Sequence, residues 1–535
     1  MALVEDIVDV LIIGAGASSA AAAWSLSDTK MRILCLEQGD WMNPAEYPST
    51  KKQWQILRGQ YNQSPNARQW DTDYPINEDD SAISVANFNG VGGGTVLYSA
   101  HFPRLKPSDF KTNSLDGVAD DWPIDYATLD PYFAQNDRNM GVSGLAGDPA
   151  IPYHEPPLPA VPIGKVGEKM GCGLNKLGWH WWPSDAAIIT EDYEGREKCI
   201  NLGPCNYGCA QGAKSSVDVA YWPMNQRLGV ELKTRCRVRE ITVDENDMAT
   251  GVIYFDENGV EHHQRAEVVI MACNGIGTPR LLLNSTSARF PNGLANRSGL
   301  VGKNLMFHPW GFVGGFFDEP LNSHLGPMGT CMLSQEFYET DPNRDFVRGY
   351  TLQFTRGQSL MDTAVNGTFG GEIPWGAGHH AAFEKYAGRG INVNICCEDL
   401  PEECNAVALD PVLTDSHGIP APKVTYRLSE NSERMMDHAV GKATEALQAA
   451  GAFQINPTGH AAGTGWHLMG TARMGKEPEK SVVNEWGRSH DVKNLFIIDG
   501  SIFVTAGAVN PTTTIQALAL YVADTMKKNL ANLFD

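Results

Sequence analysis

Near the N-terminus the chain reads Ile7-Val8-Asp9-Val10-Leu11-Ile12-Ile13-Gly14-Ala15-Gly16-Ala17, then Ala20-Ala21-Ala22-Ala23-Trp24. The first seven residues form an apolar run of strand type, the alanines form helix, and a glycine turn separates them. A second strand, Ile33 to Leu36, ends in Glu37, close to the spacing at which a dinucleotide fingerprint places its acid. Glycine at positions 14 and 16, with Ala17 after them, lets the backbone approach a pyrophosphate seated on the helix N-terminus. Glu37 is placed to accept hydrogen bonds from an adenosine ribose. The third glycine position holds Ser19, which loosens the closest helix–strand contact. FAD and NAD read alike here, so later segments must decide between them.

Outward from this unit, residues 87–99 form a glycine-rich loop containing Gly92 and Gly93. Such a backbone either comes close to something flat or turns sharply, as a long surface turn also would. Asp121-Trp122-Pro123-Ile124 and a proline-rich stretch, residues 151–163, follow; the latter reads as a linker. The aromatic cluster Trp179-His180-Trp181-Trp182 reads as core or cavity wall. Cys199-x5-Cys205-x3-Cys209 is spaced to hold an iron–sulfur cluster or to make a tight structural loop. From Val230 to Ile270 the pattern alternates in strand fashion, with a hairpin turn at Glu257-Asn258-Gly259. Val268 to Ala272 then runs into Asn274-Gly275 and a helix through Leu283. A flavoprotein needs such a second strand–turn–helix to close its nucleotide site, whereas a simple NAD dehydrogenase does not. Between residues 304 and 455, Val347 to Phe354, Asn392 to Cys396 and Lys423 to Leu428 suggest one antiparallel sheet, and Ser432 to Ala450 a helix. Two C-terminal blocks complete the set. One is Gly465-Trp466-His467-Leu468-Met469-Gly470-Thr471. The other runs from Asp499-Gly500 to Asn510-Pro511-Thr512, where a helix opens with its positive dipole end toward the site.

A chain of 535 residues supports two or three domains. With 42% hydrophobic and 20% charged residues it reads as soluble and globular, and a net charge of −21 argues against nucleic acid or an anionic membrane as partner. The apolar run Val10 to Leu26 lacks a cationic flank and is broken by Ser and Gly, so it reads as neither a signal peptide nor a membrane span. Eleven cysteines, an odd number, suit a reducing compartment, and a cytoplasmic protein is expected. The expected fold class is α/β, more fully an α+β two-domain chain. A Rossmann-like FAD-binding domain takes residues 1–155, 210–303 and 456–535. A second, antiparallel-sheet substrate-binding domain takes 156–209 and 304–455.

Along almost its full length the chain resembles the glucose–methanol–choline (GMC) family of FAD-dependent oxidoreductases. The motifs that carry the resemblance are Gly14-x-Gly16 with Glu37, Val91-Gly92-Gly93, Ala272 to Leu283, and the two C-terminal blocks. Within the family it looks most like the branch of gluconate, fructose and glucose dehydrogenases and sugar 2- and 3-oxidising enzymes of the pyranose oxidase type. It shares with that branch the Asp121–Ile124 segment, the Cys205-to-Lys214 block and Val509-Asn510-Pro511-Thr512. By position the resemblance puts Val238 near the adenine, Asp499 and Gly500 near the ribityl chain and pyrophosphate, and Pro511 and Thr512 beside the isoalloxazine. Leu97 stands where tethering members carry a histidine, and His101 comes too late, so non-covalent FAD is expected. Cluster-bearing members start the cysteine window with adjacent cysteines. Here Ile200 follows Cys199, and an iron–sulfur cluster on Cys199, Cys205 and Cys209 is not expected.

Oxidising an alcohol requires the hydroxyl proton to leave as hydride departs for flavin N5. His467 is the expected base and Asn510 the expected partner of the same hydroxyl. His308 and His460 read as structural. The expected substrate is a sugar, glycoside or polyol. Two alternatives are a bulky aromatic alcohol lined by Trp179–Trp182 and a non-redox, hydroxynitrile-lyase-like flavoprotein. The electron acceptor stays open among oxygen, a quinone and a cytochrome. A small partner subunit carrying an export signal would make the protein periplasmic.

Overall fold

Val10, Leu11, Ile12 and Ile13 are all buried, and successive residues enter different cores. Val10 and Ile12 pack with Ala20, Ala23, Ala519 and Leu520, whereas Leu11 and Ile13 pack with Phe110, Phe133 and Phe503. Their strand is covered on both faces, which is why its sequence is continuously apolar instead of alternating. In the computed structural model, which describes residues 3–356 and 359–534, this strand, Leu3–Ile13, is central to a seven-stranded sheet. It runs parallel to Ile33–Leu36 on one side and to Glu261–Met271 on the other. Glu231–Lys233 adds in parallel beyond Ile33–Leu36, and Leu495–Ile497 adds in parallel beside the end of Glu261–Met271. The start of Glu261–Met271 instead pairs antiparallel with Ala249–Phe255, which pairs antiparallel with Arg237–Val243. The helices Ala17–Leu26 and Thr512–Lys528 lie against each other over one face.

The second layer is a six-stranded antiparallel sheet in the order Gln454–His460, Trp310–Phe316, Gly390–Cys397, Tyr350–Arg356, Gly329–Ser334, Trp182–Pro183. Its back is closed by the helices Gly164–Leu177 and Glu430–Ala450. The latter is capped by the Ser429 side chain at its start and by Gly451 in the left-handed conformation at its end. Met435, Ala439, Ala443, Ala446 and Ala450 form its buried stripe at helical spacing. Strand alternation then decides the other face. Ile391, Val393 and Ile395 point to the helices, so Asn392 and Asn394 face the cavity between the two sheets.

Two expectations are corrected. Lys423 to Leu428 does not join this sheet: Pro420–Tyr426 pairs with Ala406–Thr414 and Asn77–Ser81 in a separate three-stranded sheet. Its Val424 and Tyr426 pack on Tyr74, Ile76 and Phe307 instead. The strand Gln454–His460 crosses the boundary drawn between 455 and 456, because it pairs with Trp310–Phe316 and completes the antiparallel layer. No described helix is long and apolar enough to cross a membrane.

Candidate active site

A cavity of about 530 Å³ lies between the two sheets, within the range of cofactor and ligand sites. One end is made of backbone. Gly14, Ala15, Gly16 and Ala17 line it, and Gly14 has φ +94°, with a Cβ there lying 2.7 Å from the Ala272 carbonyl oxygen. Gly93, at φ +52°, touches the same turn, since its Cβ would stand 2.9 Å from Gly16 Cα. Both positions exclude side chains, so the glycine-rich loop is a second support for the nucleotide turn and not a surface turn. Gly92 does not line the cavity; its N–H donates to the Ala15 carbonyl and fastens one loop to the other. The helix Ala17–Leu26 has Gly16 as its N-cap, and Thr512–Lys528 has Pro511, neither with a side-chain cap. Both N-termini open on the cavity, and a helix start offers N–H groups without intrahelical acceptors and the positive end of the dipole. That donor set fits a pyrophosphate at the first and an electron-rich carbonyl at the second.

Glu37 accepts from Ala15 N–H at 2.7 Å and from Gly39 N–H at 2.8 Å. Burial raises its pKa, opposed by those N–H groups, and each oxygen keeps a lone pair for a ribose hydroxyl. Val238, Ala272, Asp499 and Gly500 also line the cavity. Asp499 is held by Thr278 Oγ1 at 2.6 Å and Ser501 N–H at 2.8 Å, and burial raises its pKa.

The opposite end is made of side chains. His308 Nε2 lies 2.8 Å from the Gly507 carbonyl oxygen, and His308 Nδ1 lies 2.7 Å from His467 Nδ1. A carbonyl only accepts, so His308 carries its proton on Nε2. Burial pushes this ring down to about 4, so it is neutral and its Nδ1 is a bare acceptor. His467 must therefore donate from Nδ1, which leaves His467 Nε2 as an acceptor. Burial, then the neighbouring His308 and His101, hold the His467 pKa well below its ordinary value. The Asn510 amide nitrogen stands 3.4 Å from His467 Nε2. Asn510 Oδ1 accepts from Gln353 Nε2 and from His101 Nδ1, each at 2.8 Å, which turns the amide N–H group toward His467. Trp310 and Trp466 line the same end, their rings 5.4 Å apart, with Trp310 5.8 Å from the His467 ring.

His467, Asn510, Pro511 and Thr512 thus converge on the cavity that Gly14 and Glu37 enter from the far side. The sequence reading missed three neighbours. His308, taken as structural, lies behind the wall and fixes the His467 tautomer. His101 and Gln353 line the wall and fix Asn510. His460 sits on the edge strand, away from the cavity.

The cysteine window and the tryptophan cluster lie elsewhere. Cys199, Cys205 and Cys209 are free thiols, and among the described residues no group of three or more His, Cys, Asp or Glu side chains is arranged to hold a metal ion. Burial pushes the Cys205 thiol up to about 12. Lys214, at the end of this block, donates Nζ to the carbonyls of Val96, Tyr98 and Cys205 at 2.6, 3.1 and 2.8 Å. The block therefore braces the glycine-rich loop. Trp179 packs on Phe337, Trp181 donates to Asn175, and Trp182 donates to the Leu145 carbonyl. None of them lines the cavity, so of the two readings, core or cavity wall, the wall does not hold; the cavity is lined instead by Trp310 and Trp466.

Residues 8–310 match an N-terminal and residues 401–519 a C-terminal family model, both described as GMC oxidoreductase. The chain is 40% identical to 2-methyl-1,2-propanediol dehydrogenase of Mycolicibacterium austroafricanum, over 99% of this chain and 97% of the relative. It is 29% identical to the fructose dehydrogenase large subunit of Gluconobacter japonicus, over 98% of each. Among solved structures, pyridoxine 4-oxidase from Mesorbium loti shares the fold with a TM-score of 0.63 at 16% identity, covering 97% of this chain and 99% of that one.

Proposed function

Because the chain belongs to the glucose–methanol–choline family of FAD-binding oxidoreductases, we propose that it oxidises a CH–OH group of a diol, polyol or sugar with His467 as general base. The names of two relatives, one a diol dehydrogenase and one a fructose dehydrogenase, support that substrate class. Gly14 to Ala17 would hold the FAD pyrophosphate, Glu37 a ribose, Val238 the adenine, Asp499 and Gly500 the ribityl region, and Pro511 and Thr512 the isoalloxazine edge. Leu97 offers no nucleophile for a covalent tether, so the FAD is dissociable. When bound, the flavin supplies a hydride acceptor at N5.

The protein's own part follows from the tautomer chain. His467 Nε2 accepts the hydroxyl proton, and the Asn510 N–H donates to the hydroxyl oxygen and fixes its rotation. The hydrogen on that carbon would then leave with its bonding pair as hydride, and the C–O bond would become a carbonyl. The burial that keeps His467 neutral also makes it a weak base, so proton transfer becomes favourable only as hydride departs. The indoles of Trp310 and Trp466 exclude water from this step.

The single observation that carries the reading is the acceptor lone pair on His467 Nε2, held toward the cavity by His308 and Gly507 and met by the Asn510 N–H at 3.4 Å. The test is the flavin spectrum of the FAD-loaded protein, recorded anaerobically with a panel of diols, polyols and sugars. At least one should bleach the flavin. A flavin that no alcohol bleaches, in a protein that cleaves an α-hydroxynitrile, would establish the non-redox lyase reading instead.

A further inference from the structure

His101 is explained neither by cofactor binding nor by proton abstraction, yet it stands on the cavity wall. It is 3% exposed, and its Nδ1 must carry the proton because it donates to Asn510 Oδ1 at 2.8 Å. That bond leaves Nε2 as a bare acceptor, and this buried atom has no hydrogen-bond partner among the described residues. Buried acceptors without a donor are costly and uncommon in native proteins. Burial holds the ring down to about 4, so protonation does not relieve it near neutral pH. The wall around it is polar: Gln353, Asn392, Asn394 and Thr355 face the same cavity from the antiparallel sheet. At the His467 end, Trp310 and Trp466 each present a buried indole N–H without a partner among the described residues. Unpaired donors and an unpaired acceptor on one wall match hydroxyl groups, which both give and accept.

We propose that His101 Nε2 accepts a hydrogen bond from a second, non-reacting hydroxyl of the substrate, and so selects diols and polyols over monohydric alcohols. The inference rests on the alcohol-oxidation reading above. Asn510 sets the relation between the two hydroxyls. One face of its amide is tied to His101 and the other reaches His467, so the recognised and the reacting hydroxyl sit on either side of one side chain. A ligand lacking the second hydroxyl leaves His101 Nε2 unpaired, and sites built around a hydrogen bond reject such analogues strongly.

The probes are 2-methyl-1,2-propanediol and 2-methyl-1-propanol. They share a carbon skeleton and differ only in a tertiary hydroxyl that cannot itself be oxidised. The readout is the ratio of kcat/KM for diol over monohydric alcohol in the FAD-loaded enzyme. Wild type should prefer the diol by about 10–100-fold. His101→Asn keeps a donor where Nδ1 was and removes Nε2, and should bring the ratio close to one. His101→Gln, whose amide oxygen reaches the Nε2 position, should restore part of it. A merely structural role would lower both rates and leave the ratio in place. A ratio that survives in His101→Asn, or is absent from wild type, overturns the proposal. So does loss of FAD from His101→Asn with the ratio unchanged, which would assign Nε2 to a donor on the cofactor. If neither alcohol reduces the wild-type flavin, the failure lies with the alcohol-oxidation reading, and this proposal falls with it.

Discussion

The two ends of the cavity present different parts of the polypeptide. At the Gly14–Glu37 end the wall is main chain, offered by glycines that side chains cannot replace and by the end of the helix Ala17–Leu26, which has no side-chain cap. At the His467 end it is side chain, with His101, Gln353, His467 and Asn510 facing inward and His308 behind. A main-chain wall is set by local pattern and suits a ligand every member of a family shares. A side-chain wall is assembled from distant segments and suits the group that varies, the substrate. Binding and chemistry should therefore separate when each end is damaged alone.

The largest effect is expected at the side-chain end. His467→Ala should lower kcat by about 10²–10⁴-fold, or about 3–5 kcal/mol of transition-state stabilisation, while FAD content stays at the wild-type level. Loss of FAD in that variant would merge the two ends. Next comes Gly14→Ala, which forces an alanine into φ +94° with its Cβ against the Ala272 carbonyl. Backbone strain of this kind costs about 1–3 kcal/mol, so FAD should be held roughly 10–100-fold less tightly. Turnover per bound flavin should stay near wild type, measured by titrating FAD back into the variant. His308→Leu should cost less, about 3–10-fold in kcat, because it removes one hydrogen bond and frees His467 to change tautomer. A wild-type rate there would mean the tautomer is fixed by something else.

The smallest effect is on pH dependence, and its sign is definite. The active base is neutral His467, and burial with two neighbouring imidazoles lowers its pKa from 6.5. Depression extends the neutral form to lower pH, so kcat/KM should stay level as pH falls through 6.5 and decline only well below it. A limb centred at or above 6.5 would assign the essential base to another group.

Legibility in the sequence followed the same division. The strand over residues 7–13, the turn and Glu37 were readable because a buried parallel strand, a glycine turn and an acid follow one another within a single unit; the strand's extension back to Leu3 was not. Asn392 and Asn394 were not readable as cavity residues, because alternation marks two faces without saying which one a ligand meets. His308 looked like a core histidine and is one; its bond to His467 joins positions 159 apart, beyond any local pattern. His101 carried a faint signal, a polar ring between the apolar Ala100 and Phe102, but its partner Asn510 is 409 positions away. The tryptophan cluster stayed ambiguous because aromatic density signals burial without distinguishing a core from a cavity wall; Trp179 and Trp181 pack against the core.

The most direct test follows flavin content and anaerobic flavin bleaching together, in wild type, His467→Ala and Gly14→Ala, with one alcohol that reduces the wild-type flavin. The predicted result is full FAD with bleaching slowed at least about 10²-fold in His467→Ala, against reduced FAD with near-normal bleaching of what remains in Gly14→Ala. Near-wild-type bleaching in His467→Ala would contradict the account: the base would then lie elsewhere, whatever the geometry around His308 and Asn510.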